Sequence, residues 1–268
     1  MALTDLLSQP FMVRALLAGA LLGAILAALG AFATLRRMAF FGEGIAHASL
    51  AGIAVAVLAG IAPLPVALLW GIGVACAIFV LERTTKLPSD SAIGILFTAS
   101  MALGIILMSF TQGYQPELLT YLFGSILGVT WQDVIILAAA LVVLCAVLAA
   151  AYRPIVLAIL NDETARVHGI ATGRVTLLLY VMLAIGVVLG VKMLGIILVS
   201  ALLIIPTAAA RLLAGSMRQY LALSIIIAEA AVVVGIVVSA AGNRPTGACI
   251  VLAAALLFLL ASVVGARR

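Results

Sequence analysis

The chain has 268 residues, 67% of them hydrophobic and only 9% charged, with a formal net charge of +5. So little charge cannot cover the surface of a soluble domain of this length, and apolar runs of about 20 residues recur from end to end, so a polytopic membrane protein is expected with no soluble domain left over. The basic excess falls in loops and at helix ends, where it orients a membrane protein and gives no reason to invoke nucleic acid.

In chain order, the N-terminus MALTDLLSQP lacks the basic region that opens a cleavable signal. Nine membrane helices are predicted, over about 13–35, 38–60, 64–82, 91–111, 132–152, 174–190, 193–212, 218–240 and 247–265. Arg36-Arg37, Pro63, the stretch RTTKLPSD and Gly242-Asn243-Arg244-Pro245 punctuate them. Thr111 to Thr130 is too polar at its start and too short in its apolar part to cross. It is expected as an external loop with an interfacial or re-entrant half-helix carrying Tyr121 and Phe123. A tight turn at 189–193, within GVKMLG, has to separate two hydrophobic segments, which leaves about eight to ten spans open. Pro206 is expected to kink its helix and free a carbonyl for Ser200 or Thr207. Small residues such as the Gly19/Gly23 pair, Ala46, Ala51, Gly52 and Ala54 read as packing. Cys76, Cys145 and Cys249 stand far apart in apolar segments and read as core residues without disulfides.

The segment 153–174 is expected in the cytoplasm as a short amphipathic helix. Asn161, Asp162 and Thr164 suit its N-cap, Ala165 and Arg166 its interior and Gly169 its stop. With the N-terminus outside, Arg36, Arg37, Arg83, Lys86, Arg153, Arg166, Arg174, Arg211, Arg218, Arg267 and Arg268 all fall inside. Only Arg14, Lys192 and Arg244 fall outside, where Lys192 and Arg244 read as surface anchors. That bias favours an odd number of crossings and a cytoplasmic C-terminus. The expected fold class is therefore an all-α polytopic membrane protein of about nine spans, residues 1–268 forming one transmembrane domain.

Of the nine acidic residues, only Glu43 and Glu229 fall well inside predicted spans. An ionisable group at bilayer depth is costly and usually has a function. Glu43 and His47 are four residues apart, on one helix face, and a carboxylate beside an imidazole suits a borderline divalent cation such as zinc. The bland alternative is a hydrogen-bonding pair that joins helices. Two ligands do not close a zinc site, so another helix, a second subunit or water would complete it. Glu229 reads equally as a second station on an ion path or as a protonated carboxyl bonded to a neighbouring helix, and His168 as a solvated or interface histidine. No GxxxxGK[ST], GxSxG, HExxH or SxxK pattern occurs, so neither a nucleotide site nor an enzyme is expected.

The string RRMAFFGEGIAHASLAGIA at 36–54 resembles the second-helix signature of permease subunits of metal-ion ABC importers, the zinc, manganese and iron uptake group. The resemblance runs from about 12 to 265, through SDSAIGILF (89–97), YLFGSILGVT (121–130), NDETARVHGI, KMLGIILVSALLIIPTAAARLL (192–213) and RPTGACIVLAAALLFLLA (244–261). It implies a permease fold that works as a pair of copies in a bacterial inner membrane, with cytoplasmic ATPase subunits that use the ATP and an extracellular or periplasmic metal-binding protein. No permanently bound cofactor is implied; the metal ion is cargo. The NDETARVHGI segment would be the coupling helix, with Asp162, Glu163, Arg166 and Gly169 meeting the ATPase. Glu43 stands where relatives commonly have aspartate and His47 matches the family histidine, both lining the translocation path. The two loop-and-helix blocks at 121–130 and 202–211 resemble the zinc branch more than the manganese branch. Manganese or iron is the alternative cargo, and a proton-coupled secondary transporter the alternative class, although no internal repeat supports it.

Overall fold

The computed structural model describes residues 9–85, 87–110 and 128–266. Its helices are α1 (Pro10–Leu35), α2 (Phe41–Ala59), α3 (Pro63–Thr85), α4 (Ser89–Met108), α5 (Trp131–Leu160), α6 (Asp162–Val167), α7 (Thr172–Leu194), α8 (Ile196–Leu213), α9 (Met217–Gly242) and α10 (Thr246–Gly265). Among the described residues nine of these are long and apolar enough to cross a membrane, α6 being the exception, and no strand occurs. Every predicted span has its helix. The half-helix expected around Tyr121 and Phe123 lies outside the described residues.

Two boundaries depart most from expectation. The fifth helix does not stop at Tyr152: it continues through Pro154 to Leu160. The residues after the proline, Ile155 to Leu160, are apolar helix formers, and the first competing cap is Asn161. The residues 189–193, expected as a turn, are helical. The break is the single residue Gly195, with φ 78° and ψ 167°, a backbone conformation that a β-carbon would oppose.

The contacts divide the chain into two compact units. The first comprises residues to Thr34, 119–141 and Gly190 onward. Here α8 packs against α9 and α10, and α9 against α10. Backbones approach where glycine permits it: a Cβ at Gly30 of α1 would overlap the Leu203 carbonyl oxygen, and one at Gly235 would overlap Ile250. In lipid such close packing, rather than water exclusion, holds helices together. Pro206 sits inside α8, and it is Thr207 that bonds nearby carbonyls, donating to Leu203 and Ile204 at 3.1 and 2.8 Å and lying 2.9 Å from the Thr34 hydroxyl. The Ser200 hydroxyl has no partner among the described residues. Lys192 is not a free surface anchor: its ammonium is 2.7 Å from Asp133, which also accepts from the Thr130 amide and hydroxyl.

The second unit comprises residues 35–118 and 142–189. Its centre is α2, packed against both α3 and α4, which also touch each other. The small residues of α2 do serve as packing: Gly44 lies under Ile93, Gly52 under Trp70 and Ala67, and the Ala51 backbone against Gly104. A hydroxyl relay ties the three helices, the Trp70 indole donating to Ser100 at 2.8 Å and Ser100 to the Ala48 carbonyl at 2.9 Å. The entry to α2 is fixed by a second knot. Arg37 takes a left-handed turn at φ 60°. Arg36 donates to Thr176 at 2.7 Å and lies over the ring of fully buried Tyr180, whose hydroxyl donates to Glu82 at 2.7 Å. Large apolar side chains such as Leu69, Ile105 and Val142 are exposed, as a lipid-facing surface requires.

Candidate functional site

Glu43 and His47 lie on one face of α2, with His47 Nε2 4.0 Å from Glu43 Oε1. That distance is too long for a hydrogen bond and leaves both groups free to share a third atom between them. The helix starts at Phe41 rather than Met38, so Glu43 stands in its first turn instead of well inside the span. Its side chain is 49% exposed against 24% for His47. The imidazole is oriented by Phe97 of α4, ring centroids 5.5 Å apart. Its Nδ1 is buried and has no hydrogen-bond partner among the described residues, an uncommon state for a buried polar atom outside functional sites.

Beside Glu43 a cavity of about 270 Å³ opens between α2 and α4, lined by Phe40, Glu43, Asp90, Ile93 and Phe97 among others. Asp90 is the residue that sequence reasoning missed. In the sequence it is one of the acids at helix ends or in loops, and the packing of α2 against α4, with Gly44 under Ile93, brings it to the wall Glu43 occupies. Among the described residues no three His, Cys, Asp or Glu side chains gather closely enough to hold a metal ion. The face thus offers one imidazole and one carboxylate, with a second carboxylate further along the cavity.

Glu229 is not part of this cluster. It belongs to the first unit, half-buried near the middle of α9, and faces Gly23 of α1, where a Cβ would lie 3.2 Å from its Oε1. Gly23, read as a helix-packing residue, makes room for a carboxyl.

The predicted coupling segment forms the helix α6. Asn161 caps it, its side chain accepting from the Thr164 amide at 2.9 Å. Asp162 pairs with Arg166 one turn on, at 2.6 Å, and Gly169 ends the turn at φ 75°. Only Ala165 is buried; Glu163, Val167 and His168 face outward, and His168 Nδ1 lies 2.8 Å from the Thr164 carbonyl. A capped, pre-formed helix with an exposed outer face is suited to insertion into a groove on a partner.

Comparison with known proteins decides the family. A family model described as the ABC 3 transport family matches residues 8–265. This chain belongs to that family. It is a permease of the metal-ion ABC importers, a transport subunit, and a multi-pass protein of the bacterial cytoplasmic membrane. It is 35% identical over 258 residues to the manganese transport system membrane protein MntC of Halalkalibacterium halodurans, covering 96% of this chain and 88% of that one. The high-affinity zinc uptake system membrane protein ZnuB of Haemophilus influenzae is 28% identical over 214 residues, 80% of this chain and 82% of its own. Among solved structures, PsaBC from Streptococcus pneumoniae in complex with Fab superposes with a TM-score of 0.85 at 30% identity, covering 97% of this chain and 94% of that one. Relatives named for manganese and for zinc thus both resemble the permease.

Proposed function

We propose that the permease carries a divalent transition-metal ion, zinc first, past Glu43 and His47 into the cytoplasm. The observation that carries this reading is the 4.0 Å separation of an imidazole nitrogen and a carboxylate oxygen on one face of α2, beside a cavity with a further carboxylate. A neutral imidazole paired with a carboxylate binds zinc well, and more tightly than manganese at the same geometry. Two ligands hold an ion loosely enough to release it, which a transport path needs. A second copy of the permease, related by a two-fold axis, would present the same pair and complete four-coordination while the path is closed. Asp90 would offer the next oxygen as the ion leaves.

In this reading α6 sits in a cleft of each cytoplasmic ATPase, with Asp162, Glu163, Arg166 and Gly169 shaping the contact. ATP binding to that partner shifts the permease between outward- and inward-open states, and an external metal-binding protein delivers the ion. The excess of arginine on the segments around α6 supports placing that face in the cytoplasm, with the N-terminus outside and the C-terminus inside. Glu229 stands either as a second station for the ion or as a carboxyl that packs α9 against Gly23 of α1. Manganese is the competing cargo, favoured by the 35% identity to the Halalkalibacterium protein.

Competitive zinc and manganese accumulation tests the reading, in cells lacking their own importers and supplied with the permease, its ATPase and its binding protein. Zinc uptake that depends on His47 supports it. Manganese uptake with the same dependence transfers the mechanism to the other metal.

A further inference from the structure

A second cleft lies well apart along the chain from Glu43 and His47, where the end of α3 meets the loop between α6 and α7. It has a volume of about 510 Å³ and is lined by Arg83, Arg166 and Arg174 together with Phe79, Ile170 and Leu177. Arg166 is already paired with Asp162. Arg83 and Arg174 form no ion pair among the described residues. Arg83 is not a loose surface side chain: its guanidinium lies 4.8 Å above the Phe79 ring and against the start of α7, where a Cβ on Gly173 would come within 2.5 Å of both terminal nitrogens. Glycine at that position is what lets the guanidinium reach the cleft.

We propose that this cleft binds the phosphate headgroup of an anionic phospholipid. Two guanidinium groups with no ion pair among the described residues match phosphate oxygens in charge and fork geometry. The apolar wall of Phe79, Ile170 and Leu177 suits the first methylenes of an acyl chain, which a free anion would leave unused. Basic pockets beside membrane helices on the cytoplasmic face are where such lipids bind. A lipid there would brace the end of α3 against the helix that follows α6, so that the membrane's anionic content would influence coupling. The inference does not depend on which ion the permease carries.

The test uses the permease–ATPase complex in mild detergent, with phosphatidylglycerol or phosphatidylcholine added and retained lipid counted by native mass spectrometry. Wild type retains phosphatidylglycerol in preference to phosphatidylcholine, and Arg83→Gln with Arg174→Gln weakens that retention by about tenfold or more. Gly173→Ala keeps every charge but displaces Arg83, and weakens it as well. That variant keeps the proposal testable if the double substitution fails to fold. Equal retention by wild type and both variants overturns the proposal. So does displacement of the lipid by millimolar inorganic phosphate, which would make the ligand a soluble anion. Loss of the ATPase from the variants with lipid retention unchanged also overturns it, since the arginines would then serve the protein contact.

Discussion

The ammonium of Lys192 lies 2.7 Å from Oδ1 of Asp133, joining the last turn of α7 to the first turn of α5. Asp133 is buried and takes two more hydrogen bonds from Thr130. Removing the cation leaves a buried carboxylate without its counter-charge, held by the Thr130 hydrogen bonds alone. Lys192→Met should therefore destabilise the protein by about 3 kcal/mol, and the double substitution with Asp133→Asn by clearly less. Thermal unfolding in detergent checks this; equal losses in the single and double variants would show that the pair is not coupled.

Gly30 and Gly235 meet backbone or side chain where a Cβ belongs, whereas Gly73 faces open space. Alanine at either of the first two positions must push helices apart, costing about 3 kcal/mol or the folded state altogether. Gly73→Ala should be silent or slightly stabilising. Monodispersity on size exclusion separates the two classes.

Asn161 caps α6 through its side chain. Asn161→Ala should cost about 1 kcal/mol of local stability, while Asn161→Asp should preserve it. If α6 transmits ATP binding, the alanine variant couples less transport to each ATP hydrolysed, and the aspartate variant does not. Uptake and ATPase rates measured together in proteoliposomes decide this.

These outcomes also mark how far the chain could be read unaided. Long apolar runs and the turn residues between them placed the nine spans found among the described residues, because in lipid every backbone group must be satisfied within a helix. Pro154 and Gly195 misled the boundaries, since a proline can sit inside a membrane helix and a single left-handed glycine can break one. Glu43 and His47 were legible because their spacing is local. Asp90 was not, because its nearness to Glu43 comes from α2 and α4 packing through Gly44. The pairing of Lys192 with Asp133 likewise joins residues far apart in sequence and carries no local signal.

In the proposed path, Glu43 supplies a carboxylate oxygen to the ion. Glu43→Asp, which keeps the carboxylate, should retain most uptake, whereas Glu43→Gln should lose about tenfold or more. Zinc accumulation at equal membrane expression checks this; equal uptake by both variants would argue against carboxylate ligation.

The most direct test of the central claim is metal flux through purified permease, ATPase and binding protein in liposomes, comparing wild type with His47→Ala at equal incorporation and equal ATP turnover. The account predicts that His47→Ala hydrolyses ATP but moves roughly a hundredfold less metal, in keeping with the loss of a metal ligand or its support. Undiminished flux in His47→Ala would contradict it and leave His47 as a helix-packing residue.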